Sequence, residues 1–444
     1  MTATQESEAK QTATVLNLDW VLDAVIDDQW KGWPPQLAPS RVRDIAKLRL
    51  NLFEGDLPTP VAILRRRALA INSEWMRHFL RRTGAVICPH GKTTMAPQLF
   101  ALQLDDGAWG ITVATRQQLA VARRAGLKRL IVANEIVTRL DMEWIATDLD
   151  LDPDVQLYLY VDSLSLVRSW SETRRRRPGR PITLLLEVGY SGGRTGTRTL
   201  DEALEIAEAI HAEPNLQLCG IAGFEGLIPH EAAISSAQPI QSFLDRMVDV
   251  AKACTARGLF ATDRVILTAG GSAYYDWVAQ RLTQANLGQP SIVVLRSGCY
   301  LTQDHDFYAH RIEEIAGRSP NIGDDIVRPV PALEVWATVQ SRPEAERVVC
   351  SIGKRDVGFD FDLPRPIAWC RPGQDAKPQP LEGHRVEGLN DQHALVRVPE
   401  NSPLQVGDLV GFGVSHPCTT FDRWPLLYLI DETGTVIGGI RTYF

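Results

Sequence analysis

The chain has 444 residues, 44% of them hydrophobic and 23% charged, with a formal net charge of −7. That length allows two or three domains with cores of ordinary size. The acidic balance lacks the basic face of a nucleic-acid binder, and no apolar run is long enough to span a bilayer. Seven cysteines, an odd number with no Cys-x-x-Cys pair, read as the thiols of a reduced, cytoplasmic protein rather than a disulfide scaffold.

In chain order, Met1–Thr14 are polar, show no signal-peptide core and are expected to be disordered. Leu16–Trp30 has helical spacing of Leu18, Val21, Leu22, Val25 and Ile26, and predicts an amphipathic helix broken by Trp33-Pro34-Pro35. A second helix is expected near Arg41–Leu52, and a third over Ala68–Arg82. Eight apolar runs follow, separated by helical stretches such as Asp201–His211 and Ile240–Ala256. The runs are Ala85–Cys88, Ile111–Ala114, Leu130–Ala133, Leu157–Val161, Thr183–Val188, Leu218–Gly223, Val265–Ala269 and Ile292–Arg296. Near-continuous apolar strands alternating with helices predict an α/β fold, a (β/α)8 TIM-type barrel, with a doubly wound open sheet as the alternative. The basic run Arg174–Arg177 with Arg180 reads as a solvated helix end. Beyond the last run the helical period fades. Short alternating segments at Leu333–Gln340, Arg347–Ile352, Ala394–Val398, Asp408–Gly413, Leu426–Ile430 and Val436–Ile440 predict a mostly β C-terminal domain. The expected division is a partly helical N-terminal extension over residues 1–55, the barrel over 56–315 and the β domain over 316–444.

In a parallel barrel, functional groups gather where strands end. Lys92 stands just past the first strand in Pro89-His90-Gly91-Lys92-Thr93. A lysine desolvated there becomes a nucleophilic amine, whereas a solvated one is an ordinary surface group; His90 either tunes it or packs the loop. Gly270-Gly271-Ser272 after the seventh strand is either a plain turn or an anion cradle of backbone N–H groups at a helix start. Backbone donors at Gly298, Cys299 and Tyr300, after the eighth strand, would complete such a phosphate cup. Arg194, behind Gly192-Gly193, is either a surface arginine or a cation facing the mouth. His416 and Cys418, two apart after an apolar strand, can hold a zinc ion and leave positions open for water and substrate; a chance His-x-Cys is the plainer reading.

Taken together, and in this order, these segments resemble the alanine-racemase-fold pyridoxal 5′-phosphate (PLP) enzymes. Within them they resemble the branch of metal-dependent D-threonine aldolases, D-serine dehydratases and D-threo-3-hydroxyaspartate dehydratases. The resemblance runs from about Leu57 to Phe444 and leaves the first 50 or so residues unexplained. It implies PLP on Lys92 as a Schiff base, with His90 beside it. Arg194 is implied at the pyridine nitrogen, and Gly270, Gly271, Ser272, Gly298, Cys299 and Tyr300 at the phosphate. It also implies a divalent metal, zinc or manganese, on His416 and Cys418. The chain departs from the pattern after the lysine, where Thr94-Met95 replaces a further His or Lys, which bears on the substrate. The His-x-Cys pair resembles the dehydratases more than the aldolases, which carry His-x-Asp. The implied activity is conversion of a 3-hydroxy-D-amino acid such as D-serine to a 2-oxo acid and ammonia. An aldolase giving glycine and an aldehyde is the alternative, with a racemase or a non-catalytic PLP carrier behind it. By analogy with the fold's relatives a homodimer is expected, with a small D-amino acid as the other partner.

Overall fold

The structure, a computed structural model, describes residues 15–228, 237–319, 326–374 and 377–444. Met1–Thr14, expected to be disordered, lie outside the described residues. Two compact units interleave along the chain: the first holds Arg77–Lys92 and Gln103–Gly298, the second Asn17–Met76, Thr93–Leu102 and Cys299–Phe444.

The first unit is the expected barrel. Its parallel strands are Val86–Ile87, Ile111–Val113, Arg129–Val132, Gln156–Val161, Ile182–Val188, Leu216–Gly223, Val265–Ala269 and Ser291–Leu295. Ladder pairing runs from the second strand through to the eighth and on to the first. The remaining gap is closed by a parallel bridge between His90 and Thr112, with Trp109 N–H donating to the Ile87 carbonyl at 2.7 Å and Thr112 N–H to that of Pro89 at 2.9 Å. Inside pack Cys88, Ile131, Tyr160, Leu185, Ile266 and Val294. Outer helices start where the sequence supplies a cap: the side chains of Thr115, Thr138, Ser163 and Thr199 each accept a backbone N–H from the first turn, worth about 1 kcal/mol apiece. The basic run is less solvated than expected. Arg174 is buried and donates to Asp150 at 2.8 Å. Arg180 donates to the carbonyls of Leu149, Asp152 and Val155, which tie down the loop after the preceding helix.

The second unit is mostly antiparallel β. Its sheets contain all six segments expected from alternation, and also Arg365–Cys370, Arg385–Leu389 and Val61–Arg65. Val61–Arg65 pairs antiparallel with Leu333–Glu344 and parallel with Leu426–Ile430. For this reason the contiguous division at 55 and 315 does not follow the two units: the strand before the barrel belongs to the β sheet. The N-terminal residues belong there too. The long helix expected over Leu16–Trp30 does not form; a single turn, Asp19–Leu22, is followed by the extended pair Val25–Ile26 and Ser40–Arg41 and a 3-10 helix at Val42–Leu48. Ile26, Trp33, Val42, Ile45 and Phe53 instead share one core with Val61, Trp336 and Tyr428. Burial of those side chains outweighs local helical periodicity. Trp336 is fully buried, and its indole N–H donates to Glu334 at 2.8 Å. A Cβ at Gly411 would stand 2.7 Å from that ring, so the glycine is required by close approach. Among the described residues, no helix is long and apolar enough to cross a membrane, and all seven cysteines are free.

Candidate active site and metal pair

At the strand ends of the barrel unit, the short first strand and its bridge to Thr112 bring His90 and Lys92 to the rim. The His90 ring carries a buried Nδ1 with no hydrogen-bond partner. Burial, followed by the positive charges of Lys92, Arg296 and Arg194, holds this ring far below the usual histidine range. It is therefore a neutral imidazole among three cations. Lys92 itself is exposed, so the desolvation expected of a nucleophilic lysine is not supplied within the single chain. Arg194 is also exposed and lies over the Phe224 ring at 5.0 Å. Glu187, Tyr190, Arg194, Phe224 and Leu227 line a small pocket.

Arg296 had no role in the sequence reading, yet it is buried and central. Its guanidinium donates to Thr268 Oγ1 at 2.8 Å and to the Gly223 carbonyl at 2.6 Å. The glycine turn does bind an anion, but one from the chain. The N–H groups of Gly270 and Gly271 donate to the two carboxylate oxygens of Glu225, at 3.1 and 2.8 Å. Ser297 Oγ donates to the carbonyls of Gly270 and Gly271, closing the turn from the other side. Gly270 has φ +89°, and a Cβ at Gly271 would stand 2.7 Å from Phe224. With those two N–H groups engaged, an incoming phosphate in this unit is left with Ser272, half-buried, and Gly298, buried. Glu225 was missed because a lone glutamate after a strand carries no motif.

The rim also holds three carboxylates that sequence reasoning did not connect. Ligand atoms of Glu135, Asp162 and Glu187, which come at or just after the third, fourth and fifth strands, all lie within 4.8 Å of one another. Burial and the neighbouring Glu187 and Asp162 push Glu135 up to about 9, so it holds a proton at neutral pH. Asp162 accepts the Gly196 N–H at 3.1 Å.

In the β unit, His416 and Cys418 bracket the start of a short helix, Cys418–Phe421. Asp360 carries the imidazole: its Oδ2 lies 2.6 Å from His416 Nδ1, while Thr419 donates to its Oδ1 at 2.6 Å. The carboxylate orients the ring, whose other side reaches Cys418. Phe361 stacks on the ring at 4.4 Å. Burial works against a charged His416, but Cys418 and Asp360 outweigh it and push His416 up to about 9. The Cys299 thiol beside Cys418, Sγ to Sγ 3.7 Å, holds Cys418 far below the usual thiol range. Thr93 Oγ1 lies 3.5 Å from Cys418 Sγ and 3.8 Å from Cys299 Sγ. Cys299 and Tyr300, expected as backbone phosphate donors, are both buried in this unit. Asp304, just after them, is a structural acid: it accepts the N–H groups of Asp306, Tyr308 and Ala309 at the start of the helix Phe307–Arg318.

These donor sets fit the two groups that the resemblance implies. A primary amine, a neutral imidazole and buried and exposed guanidinium groups suit an anionic aldehyde cofactor, while the Gly270 and Gly271 N–H groups are taken by Glu225. An imidazole oriented by a carboxylate beside a thiolate suits a borderline-soft divalent ion.

The comparisons agree with this architecture. The sequence profile described as "Alanine racemase, N-terminal domain" matches residues 64–290, and that described as "Putative serine dehydratase domain" matches residues 332–430. The chain belongs to the alanine racemase N-terminal domain family. Among characterised relatives, it is 24% identical over 316 residues to the 3-hydroxy-D-aspartate aldolase of Paracoccus denitrificans (strain Pd 1222), covering 71% of this chain and 76% of that one. Of solved structures, the D-threonine aldolase from Filomicrobium marinum has a TM-score of 0.72 at 22% identity, covering 91% of this chain and 98% of its own. The D-threo-3-hydroxyaspartate dehydratase from Delftia sp. HT23 has a TM-score of 0.68 at 19% identity, covering 87% and 98%.

Proposed function

We propose that the chain is a PLP- and metal-dependent lyase that dehydrates and deaminates a 3-hydroxy-D-amino acid, D-serine-like, to a 2-oxo acid and ammonia. The observation that carries the reading is the His416–Cys418 pair with Asp360 on the imidazole. PLP held by Lys92 supplies an electron sink that acidifies the substrate Cα–H, and a zinc or manganese ion on His416 and Cys418 supplies a Lewis acid for the β-hydroxyl. The Lys92 amine takes the Cα proton as general base. The uncharged His90 ring accepts or donates a hydrogen bond beside it without adding a fourth positive charge. Arg194 and Arg296 favour anionic groups at the same rim. Asp360 orients the His416 ring through Nδ1, and a metal ion bound at the other ring nitrogen would take the place of the proton there. Exposure of Lys92 supports a homodimer as part of the reading, because a second subunit would shield the amine from water.

An aldolase reaction yielding glycine and an aldehyde is the second reading, favoured by the similarity to the Paracoccus aldolase. The test supplies D-serine and D-threonine with PLP and Zn²⁺ or Mn²⁺, then measures 2-oxo acid, ammonia and glycine. Formation of 2-oxo acid with ammonia is expected. Glycine and aldehyde without 2-oxo acid overturn the dehydratase in favour of the aldolase. A Lys92→Ala protein that turns over as fast as the parent overturns both.

A further inference from the structure

We propose that Cys299 is a third metal ligand, so that Cys299, His416 and Cys418 form a zinc site of the Cys2His type with its fourth position open for water or substrate. The proposal rests on the metal half of the proposed function and deepens it by naming the ion and its coordination.

The argument is geometric. Zinc–thiolate bonds are about 2.3 Å long, so two thiolates on one tetrahedral zinc stand about 3.8 Å apart. Cys299 Sγ and Cys418 Sγ stand 3.7 Å apart. That spacing is far too long for a disulfide and close to the edge of a zinc tetrahedron. His416 reaches Cys418 with a side-chain hydrogen bond, so Cys418 is the shared corner between imidazole and second sulfur. The group is still open: among the described residues, the three ligand side chains whose atoms all fall within 4.8 Å are the barrel carboxylates, not these. Zinc uptake therefore needs a side-chain rotation that brings His416 and Cys299 together.

The supports are in place on both sides. The turn carrying Cys299 is pinned by its own carbonyl, which accepts the Gln303 N–H at 2.8 Å, and by buried Asn72, which donates to the Leu301 carbonyl at 2.8 Å. On the other side, Ser415 Oγ donates to the Asp362 carbonyl at 2.6 Å and Thr420 Oγ1 to that of His416 at 3.1 Å. The Thr93 hydroxyl lies within reach of both sulfurs and can donate to whichever carries more charge. Ligand sets with two thiolates favour zinc over manganese or magnesium, which prefer oxygen donors. A Cys2His set with an open position is a known arrangement for catalytic zinc. Metal binding releases one proton from the Cys299 thiol and one from the His416–Cys418 pair to solvent, and no oxidant or reductant takes part.

The experiment uses full-length protein, stripped of metal under a reductant and reloaded with Co²⁺ or Zn²⁺. Thiolate-to-cobalt charge-transfer absorption reports the number of sulfur ligands, and competition with a chromophoric chelator reports zinc affinity. Cys299→Ser is expected to lose about half of the charge-transfer intensity, and zinc affinity is expected to fall at least about 10-fold, with manganese binding unchanged. Unchanged cobalt absorption and zinc affinity in that variant overturn the proposal. Should the variant misfold, X-ray absorption of zinc-loaded wild type decides: two sulfurs at about 2.3 Å support it and one overturns it. One sulfur in an enzyme that still makes 2-oxo acid defeats Cys299 alone. Protein that takes up neither zinc nor manganese after loading defeats the metal half of the proposed function as well.

Discussion

Replacing Glu135 with glutamine is expected to flatten the pH dependence of stability. Burial and the neighbouring Glu187 and Asp162 raise this carboxyl from 4.5 to about 9. The folded chain therefore keeps a proton that the unfolded chain releases. Between the two values the unfolded state binds fewer protons, so the contribution is full below 4.5 and is lost as pH rises toward 9. At 1.36 kcal/mol per pH unit, the loss between about pH 5 and about pH 8 is about 4 kcal/mol. Glu135→Gln preserves shape, offers Glu187 a permanent N–H donor and has nothing to titrate. Urea unfolding of parent and variant, followed by circular dichroism across that range, should show the variant gaining about 4 kcal/mol on the parent by the alkaline end. Parallel stability curves would refute the assignment of a buried proton to Glu135.

Asp360→Asn should weaken zinc binding about 10–100-fold while leaving the fold intact, because the imidazole loses the carboxylate that orients it; chelator competition checks this, and unchanged affinity would separate Asp360 from the site. Glu225→Gln puts an amide donor against one of two N–H groups that now share a carboxylate, so stability should fall by about 1–3 kcal/mol; an unmoved thermal midpoint would mean the glycine turn does not depend on that charge. Trp336→Ala removes a fully buried indole and its N–H bond to Glu334, which keeps its Arg65 partner, at a cost of about 3–5 kcal/mol in chemical denaturation.

The barrel was legible because strands buried on both faces leave continuous apolar runs, and all eight fall within a residue or two of their observed positions. The candidate site residues could be named because a lysine, a glycine pair and a His-x-Cys each sit in short local segments near strand ends. The N-terminal residues were not. Val21 and Ile26 fit a helix on spacing alone, yet the extended chain buries Ile26 and Trp33 against a sheet whose strands come hundreds of residues later. Arg365–Cys370 was missed because its buried residues, Pro366 and Cys370, do not alternate with exposed ones. Glu225, Arg296 and Asp360 each gain their role from a partner distant in sequence: Glu225 from Gly270, Arg296 from Gly223 and Asp360 from His416. Cys299 was read for its backbone N–H, whereas its sulfur faces Cys418.

The strand Val61–Arg65 has a consequence for how the protein is made. It leaves the ribosome early, but its parallel neighbour Leu426–Ile430 is about 360 residues behind. At about 5–20 residues per second, synthesis leaves this apolar ribbon without that neighbour for about 20–70 s. During that interval it offers open backbone groups to any other nascent chain, a known route to aggregation. Heterologous production should therefore gain from slower initiation, lower temperature or added chaperone more than a barrel alone would.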